Sequence, residues 1–180
     1  LRNNDSFIKA WISVITMQTR PDKRKRKEHD LPQLIKNTVD IMKPILIRKK
    51  IIVNVIHNGD RFERRVFPID IESIIYNLII NSIEAFETSS IKERCIEITL
   101  SIDEMLHCTY CDNGKGIDPV FEDPYDIFKF GTTSKVDSSG EKTGTGLGMY
   151  IVASTLREYN SEPKLIRWKD CFEMSFSIER

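Results

Sequence analysis

No apolar run in the 180 residues approaches the roughly 18 that a membrane-spanning helix needs, and the first residues do not form a signal peptide, so a soluble chain is expected. There is no surplus of charge either. The 27 basic and 27 acidic side chains cancel, which excludes capture of nucleic acid or an anionic membrane by a global field and leaves only local recognition. Cysteine is scarce: Cys95, Cys108, Cys111 and Cys171 lie scattered through strand-like segments without the spacing of a secreted disulfide framework, and a reducing cytoplasm fits them. Cys108-Thr-Tyr-Cys111 has CxxC spacing, but on a strand residues three apart face opposite sides, and no second CxxC completes a set of metal ligands. All four therefore read as buried structural cysteines. Also missing are GxxxxGK[ST] and a GxGxxG that follows a strand in a βαβ unit, which argues against a P-loop or a Rossmann site.

What is present is one domain's worth of chain with a clear order of elements. Residues 5–19 place Phe7, Ile8, Trp11, Ile12 and Ile15 at helical spacing, and the run from Arg20 to Lys27 continues as a basic linker over 20–29. Asp30 as cap, Pro32 in the first turn and Leu34, Ile35, Val39 and Met42 predict a helix to about residue 48, perturbed near Pro44. Ile51–Ile56 reads as a strand, Asn58-Gly59-Asp60 as a hairpin turn, and Phe62–Phe67 as the antiparallel return. A helix from about Pro68 to Glu87, strands near 95–102 and 105–111, a helix from about Gly146 and strands near 164–168 and 171–178 complete the pattern. The order predicts an α/β (α+β) two-layer sandwich, with helices on one face of a mixed, largely antiparallel sheet. Residues 112–145 hold five glycines and two prolines with little periodicity, a length that suggests a functional lid.

Three polar blocks sit at the edges of apolar segments: Asn77-Leu-Ile-Ile-Asn81, Asp112-Asn-Gly-Lys-Gly116 and Gly144-Thr-Gly-Leu-Gly148. On the helix over 70–88, Asp70, Ser73, Asn77, Asn81, Glu84 and Thr88 recur at three- and four-residue spacing and share one stripe, while Ile75, Ile79, Ser82 and Phe86 project the other way. Asparagine is a mediocre helix former, and its carbonyl oxygen is a suitable hard ligand for Mg²⁺. A carboxylate at Asp112, at a strand end, can accept a hydrogen bond from an exocyclic amine, with Gly114 and Gly116 allowing a tight turn beside a ligand. Gly144–Gly148 leads into a helix, whose unpaired N–H groups and dipole favour phosphate. The three together read as a nucleotide site.

These blocks, with Ile127-Phe-Lys-Phe-Gly-Thr-Thr-Ser-Lys135, resemble the N, G1, F and G2 boxes of the GHKL ATPase superfamily in the form found in sensor histidine kinases; the likeness covers about residues 31–178. The resemblance implies a Bergerat ATP-binding fold under a mobile ATP lid, with ATP and Mg²⁺ bound. It implies Asn81 on Mg²⁺ with Asn77 near the phosphates as the catalytic pair, and Asp112 on the adenine amine. Gly114, Gly116 and Ile117 would shape the pocket, Phe128 and Phe130 anchor the lid, Thr133 and Lys135 reach phosphate, and Gly144, Thr145, Gly146, Leu147 and Gly148 wrap the triphosphate. On the same footing, residues 30–180 would be the catalytic domain and residues 1–19 the end of a dimerisation helix. The chain begins at a leucine, which suggests a piece of a longer homodimeric, cytoplasmic or membrane-anchored protein. An acceptor histidine domain and a response regulator would be its partners, and nucleic acid would not.

In the hydrolytic branches of the superfamily a glutamate four residues before the magnesium asparagine activates water; here that position is Asn77, and an amide is no general base. Phosphoryl transfer is therefore expected over hydrolysis, with an ATPase clamp and a nucleotide-sensing module without chemistry as the alternatives. None of His29, His57 or His107 stands where an acceptor would. Glu84 reads either as an ordinary helix-face glutamate or as a group acting beside Mg²⁺ or water.

Overall fold

A computed structural model describes residues 25–59, 62–135 and 144–179; the helix expected over 5–19, most of the basic run and part of the expected lid lie outside them. Pro32 occupies the first turn of helix α1 (Leu31–Arg48), where its missing N–H costs no helix hydrogen bond. Asp30 stands at the cap in extended conformation, but its side chain makes no cap bond. The helix runs through Pro44 and buries Leu31, Leu34, Ile35, Met42 and Leu46.

The expected hairpin does not form. Strand β2 (Ile51–His57) pairs in parallel with β4 (Arg94–Ile102), whereas β3 (Glu63–Val66) pairs antiparallel with β1 (Lys27–Asp30) in a separate two-stranded sheet. The reason lies in matched side chains. Against β4, Val53 meets Ile96 and Val55 meets Ile98, apolar neighbours that Glu63-Arg-Arg-Val66 does not offer. The charged β3 finds a charged partner instead, with Arg65 opposite Glu28, and residues 27–29 of the expected linker, together with Asp30, become a strand.

The main sheet runs β2-β4-β5-β7-β6, antiparallel after its first pair, with β5 over Leu106–Asp112, β6 over Lys164–Arg167 and β7 over Phe172–Ile178. Alternation sends Ile96, Ile98 and Leu100, then Leu106, Cys108 and Tyr110, then Met174, Phe176 and Ile178 into the core. Helices α1, α2 (Pro68–Glu87) and α3 (Gly148–Arg157) lie over that face and give the expected two layers. Cys108 and Cys111 face opposite sides as their spacing requires. Only Cys108 is buried, its thiol pushed up to about 12 by desolvation; Cys95, Cys111 and Cys171 are half-buried, so the reading of four buried cysteines holds for one.

The β4–β5 turn is held by its own side chains. The Met105 N–H donates to Asp103 Oδ1 at 2.8 Å, and His107 Nε2 lies 3.0 Å from the same carboxylate while Nδ1 meets Ser177 Oγ at 2.8 Å. The backbone bond from Met105 and the contact with His107 hold the Asp103 pKa below its ordinary value. A depressed acid contributes stability above its unfolded pKa and loses it as pH falls through the folded one. Asp103→Ala is therefore expected to lower the melting temperature at pH 7, with the gap to the parent closing below about pH 4. A gap that stays constant across that range would show the carboxylate to be uninvolved.

Candidate functional site

A cleft of about 480 Å³ opens between α2, the turn after β5, residues 127–135 and the start of α3. Asn81, Glu84 and Ala85 from α2, with Thr88 just past its end, form one wall, and Asp112, Lys115, Gly116, Ile117 and Asp118 the floor. Thr132, Thr133, Lys135, Thr145, Gly146 and Gly148 close the far side. Three blocks distant in sequence thus share one cavity.

Asp112 anchors the floor. It ends β5 on the core-facing side, in phase with Cys108 and Tyr110, and is only 3% exposed. Ser82 Oγ donates to its Oδ2 at 2.6 Å, and the Gly114 N–H donates to Oδ1 at 2.8 Å. Because the Ser82 proton is committed there, the Tyr110 hydroxyl, 2.7 Å away, donates to Ser82 Oγ in turn. Burial raises the Asp112 pKa, and the bonds from Ser82 and Gly114 pull it back. Burial also drives the Tyr110 phenol well above its ordinary value, which keeps it a donor. Ser82 was the residue missed in the sequence. A serine among isoleucines on a buried helix face, opposite a strand that buries a tyrosine and an aspartate at period two, is the signal that marks it.

The polar stripe of α2 is shorter than expected. Asp70 is 1% exposed and accepts from the Tyr159 hydroxyl at 2.6 Å, so it joins α2 to the end of α3 and takes no part in the cleft. Asn77 Nδ2 donates to the Ser73 carbonyl at 2.8 Å, directing Oδ1 toward α3. A Cβ on Gly148 would stand 3.2 Å from that oxygen and 3.8 Å from Asn81 Nδ2. Glycine at this point lets the first turn of α3 come up to both amides. The Gly148, Met149 and Tyr150 N–H groups open that turn, and Leu147 supplies no side-chain cap.

The remaining predicted residues divide. Ile117 N–H donates to the Trp168 carbonyl at 2.7 Å, fixing the floor against the turn before β7. Gly144 lies against Thr133 and the stem of Lys135, and Lys135 Nζ forms an ion pair with Glu84. Leu147 is 3% exposed and serves the core. Phe128 is buried at the end of a 3₁₀ turn (Pro124–Phe128). Phe130 lies outside the cleft wall, 60% exposed, with its ring edge-on to Tyr150 at 5.2 Å.

Residues 67–173 match the family described as histidine kinase-, DNA gyrase B- and HSP90-like ATPase. No curated protein matches the chain by sequence. Among solved structures, the nucleotide-free catalytic domain of the histidine kinase ThkA is 18% identical with a TM-score of 0.70, the match covering 86% of this chain and 95% of that one. ThkA in complex with the response regulator protein TrrA gives 17% identity and a TM-score of 0.71 over 98% of this chain and 48% of that one. Full-length ShkA in complex with AMPPNP gives 16% and 0.64 over 86% and 31%. The fold is that of histidine kinase catalytic domains.

Proposed function

This chain belongs to the histidine kinase-, DNA gyrase B- and HSP90-like ATPases, and from that premise we propose that its residues 30–180 are the ATP-binding catalytic domain of a sensor histidine kinase, transferring the γ-phosphoryl group to a histidine outside the cleft in two-component signalling. The observation that carries the transfer reading is the pair Asn77 and Asn81 facing the open start of α3. Where a water-activating carboxylate would have to stand, there is an amide whose nitrogen is bound to the Ser73 carbonyl. Such a site positions phosphate without activating water.

Asp112, held by Ser82 and Gly114, would accept from the adenine amine, and Gly116 and Ile117 would border the base. The α3 N-terminus with Gly144, Thr145 and Gly146 would receive the phosphates. The donors fit Mg²⁺: two carboxamides on successive turns of α2, beside a space that a Cβ on Gly148 would fill. Asn81, with Asn77 behind it, would hold the ion, which when bound offsets phosphate charge. His29, His57 and His107 all stand on strands and none lines the cleft, so the acceptor comes from elsewhere. A response regulator would receive the group next, and the intact protein, membrane-anchored or not, would act as a homodimer with this domain in the cytoplasm. No helix among the described residues is long and apolar enough to cross a membrane.

Phosphate accounting tests this. With Mg·ATP, residues 1–180 should bind nucleotide without steady release of phosphate, while the intact protein takes up acid-labile, alkali-stable label that Asn81→Ala removes. Steady release from residues 1–180 would assign hydrolysis instead; tight binding with neither release nor label would assign nucleotide sensing.

A further inference from the structure

The described residues lining the cleft carry four carboxylates, Glu84, Glu87, Asp112 and Asp118, against two lysines, Lys115 and Lys135. For a cavity that admits a polyphosphate this balance has the wrong sign. Three of the carboxylates are engaged away from the phosphate end: Glu87 pairs with Lys49, Asp118 accepts from the Val120 N–H at 3.1 Å and lies 4.0 Å from Lys115, and Asp112 is held by Ser82 and Gly114. Glu84 differs. It sits one turn beyond Asn81 on the same face of α2, and its ion-pair partner is Lys135, whose stem packs on Gly144 at the phosphate end.

Resting on the nucleotide reading above, we propose that Glu84 sets the cation requirement of the site. Without nucleotide it holds Lys135 across the cleft as a stand-in for phosphate. A phosphate that takes Lys135 strips Glu84 of its counter-charge and leaves two anions side by side. Metal-free nucleotide therefore binds against repulsion. A nucleotide that carries a divalent cation brings a replacement charge to the end of the cleft that Asn81 and Glu84 share. The residue acts as a selector for the cation-complexed form, by penalising the bare one.

The test is calorimetric titration of residues 1–180 with AMPPNP at fixed ionic strength, once with Mg²⁺ and once with EDTA. The parent should prefer the Mg²⁺ form strongly. Glu84→Gln should raise affinity for metal-free AMPPNP by about three- to tenfold and shrink the ratio between the two conditions. Lys135→Gln should weaken binding in both conditions. Raising salt should reduce the effect of Glu84→Gln, since these groups are partly exposed. An unchanged Mg²⁺-to-EDTA ratio in Glu84→Gln, with its melting temperature preserved, overturns the role of Glu84 while leaving the nucleotide site standing. Failure of the parent to bind AMPPNP in either condition overturns both.

Discussion

Asp112→Asn is expected to weaken nucleotide binding by about a hundredfold or more while leaving the fold intact. Both donors that hold the side chain, Ser82 Oγ and the Gly114 N–H, need an acceptor, and the carboxylate gives each of them one oxygen. An amide supplies one oxygen and one NH₂. One of the two donors then faces another donor, or the amide turns and shows its NH₂ to the adenine amine. Losing a charge-assisted bond and burying a mismatched donor each cost roughly 1–3 kcal/mol, and tenfold corresponds to about 1.4 kcal/mol.

Stability should move much less. An acid whose folded pKa is raised costs stability once ionised, so the native state gains as pH falls through that raised value. The neutral amide removes the desolvation cost of the ionised group but leaves Ser82 Oγ or the Gly114 N–H facing an NH₂, so the two effects oppose each other and Asp112→Asn should melt close to the parent temperature at pH 7. The two readouts separate ligand recognition from folding. An AMPPNP affinity within about twofold of the parent would remove Asp112 from the adenine site.

The element order was legible because each helix and most strands carry their own period. Helix α2 follows from Pro68 and the isoleucines, and β5 from Leu106, Cys108 and Tyr110 alternating with half-exposed neighbours. What failed was pairing, which is a competition between strands. Asn58-Gly59 is a strong local turn signal, but β2 gains more from Ile96 and Ile98 than from the charges of β3. Nothing within residues 51–67 contains that comparison.

The site divides along the same line. Asp112 and Gly148 stand where a motif coincides with an element end, and Asn81 reaches the same cleft from within α2. Asp70 and Ser82 exchanged roles because a helical stripe is counted on one helix, whereas burial depends on what the neighbours bring. Tyr159, at the far end of α3, takes Asp70 out of the stripe; Tyr110 and Asp112 make the apolar-face Ser82 a polar support of the floor. The cysteines were over-assigned to the core for a related reason. Alternation fixes which face a strand cysteine takes, but nothing in the sequence shows that Cys95, Cys111 and Cys171 stay half-buried.

Gly146→Ala is expected to cost about 2–4 kcal/mol of stability and at least tenfold in AMPPNP affinity. Gly146 has φ +62, left-handed backbone that carries about 1–2 kcal/mol of strain for an L side chain. The strain is the smaller part. A Cβ there would fall 2.4 Å from Gly131 C and 2.4 Å from Thr132 N, backbone atoms that no rotamer change can withdraw. The bond from the Gly131 N–H to the Gly146 carbonyl, 3.2 Å, ties the same two segments, so relief of the clash means parting them. That separation draws Thr132 and Thr133 away from the cleft and shifts Gly148 relative to Asn77 and Asn81. Gly131→Ala supplies the control. Its φ of +70 imposes the same strain, yet a Cβ at Gly131 meets nothing within 4 Å. Gly131→Ala should therefore lose only about 1–2 kcal/mol and little affinity. Equal losses of affinity in the two variants would mean that backbone strain, and not the contact between residues 131–132 and Gly146, shapes the phosphate end of the cleft.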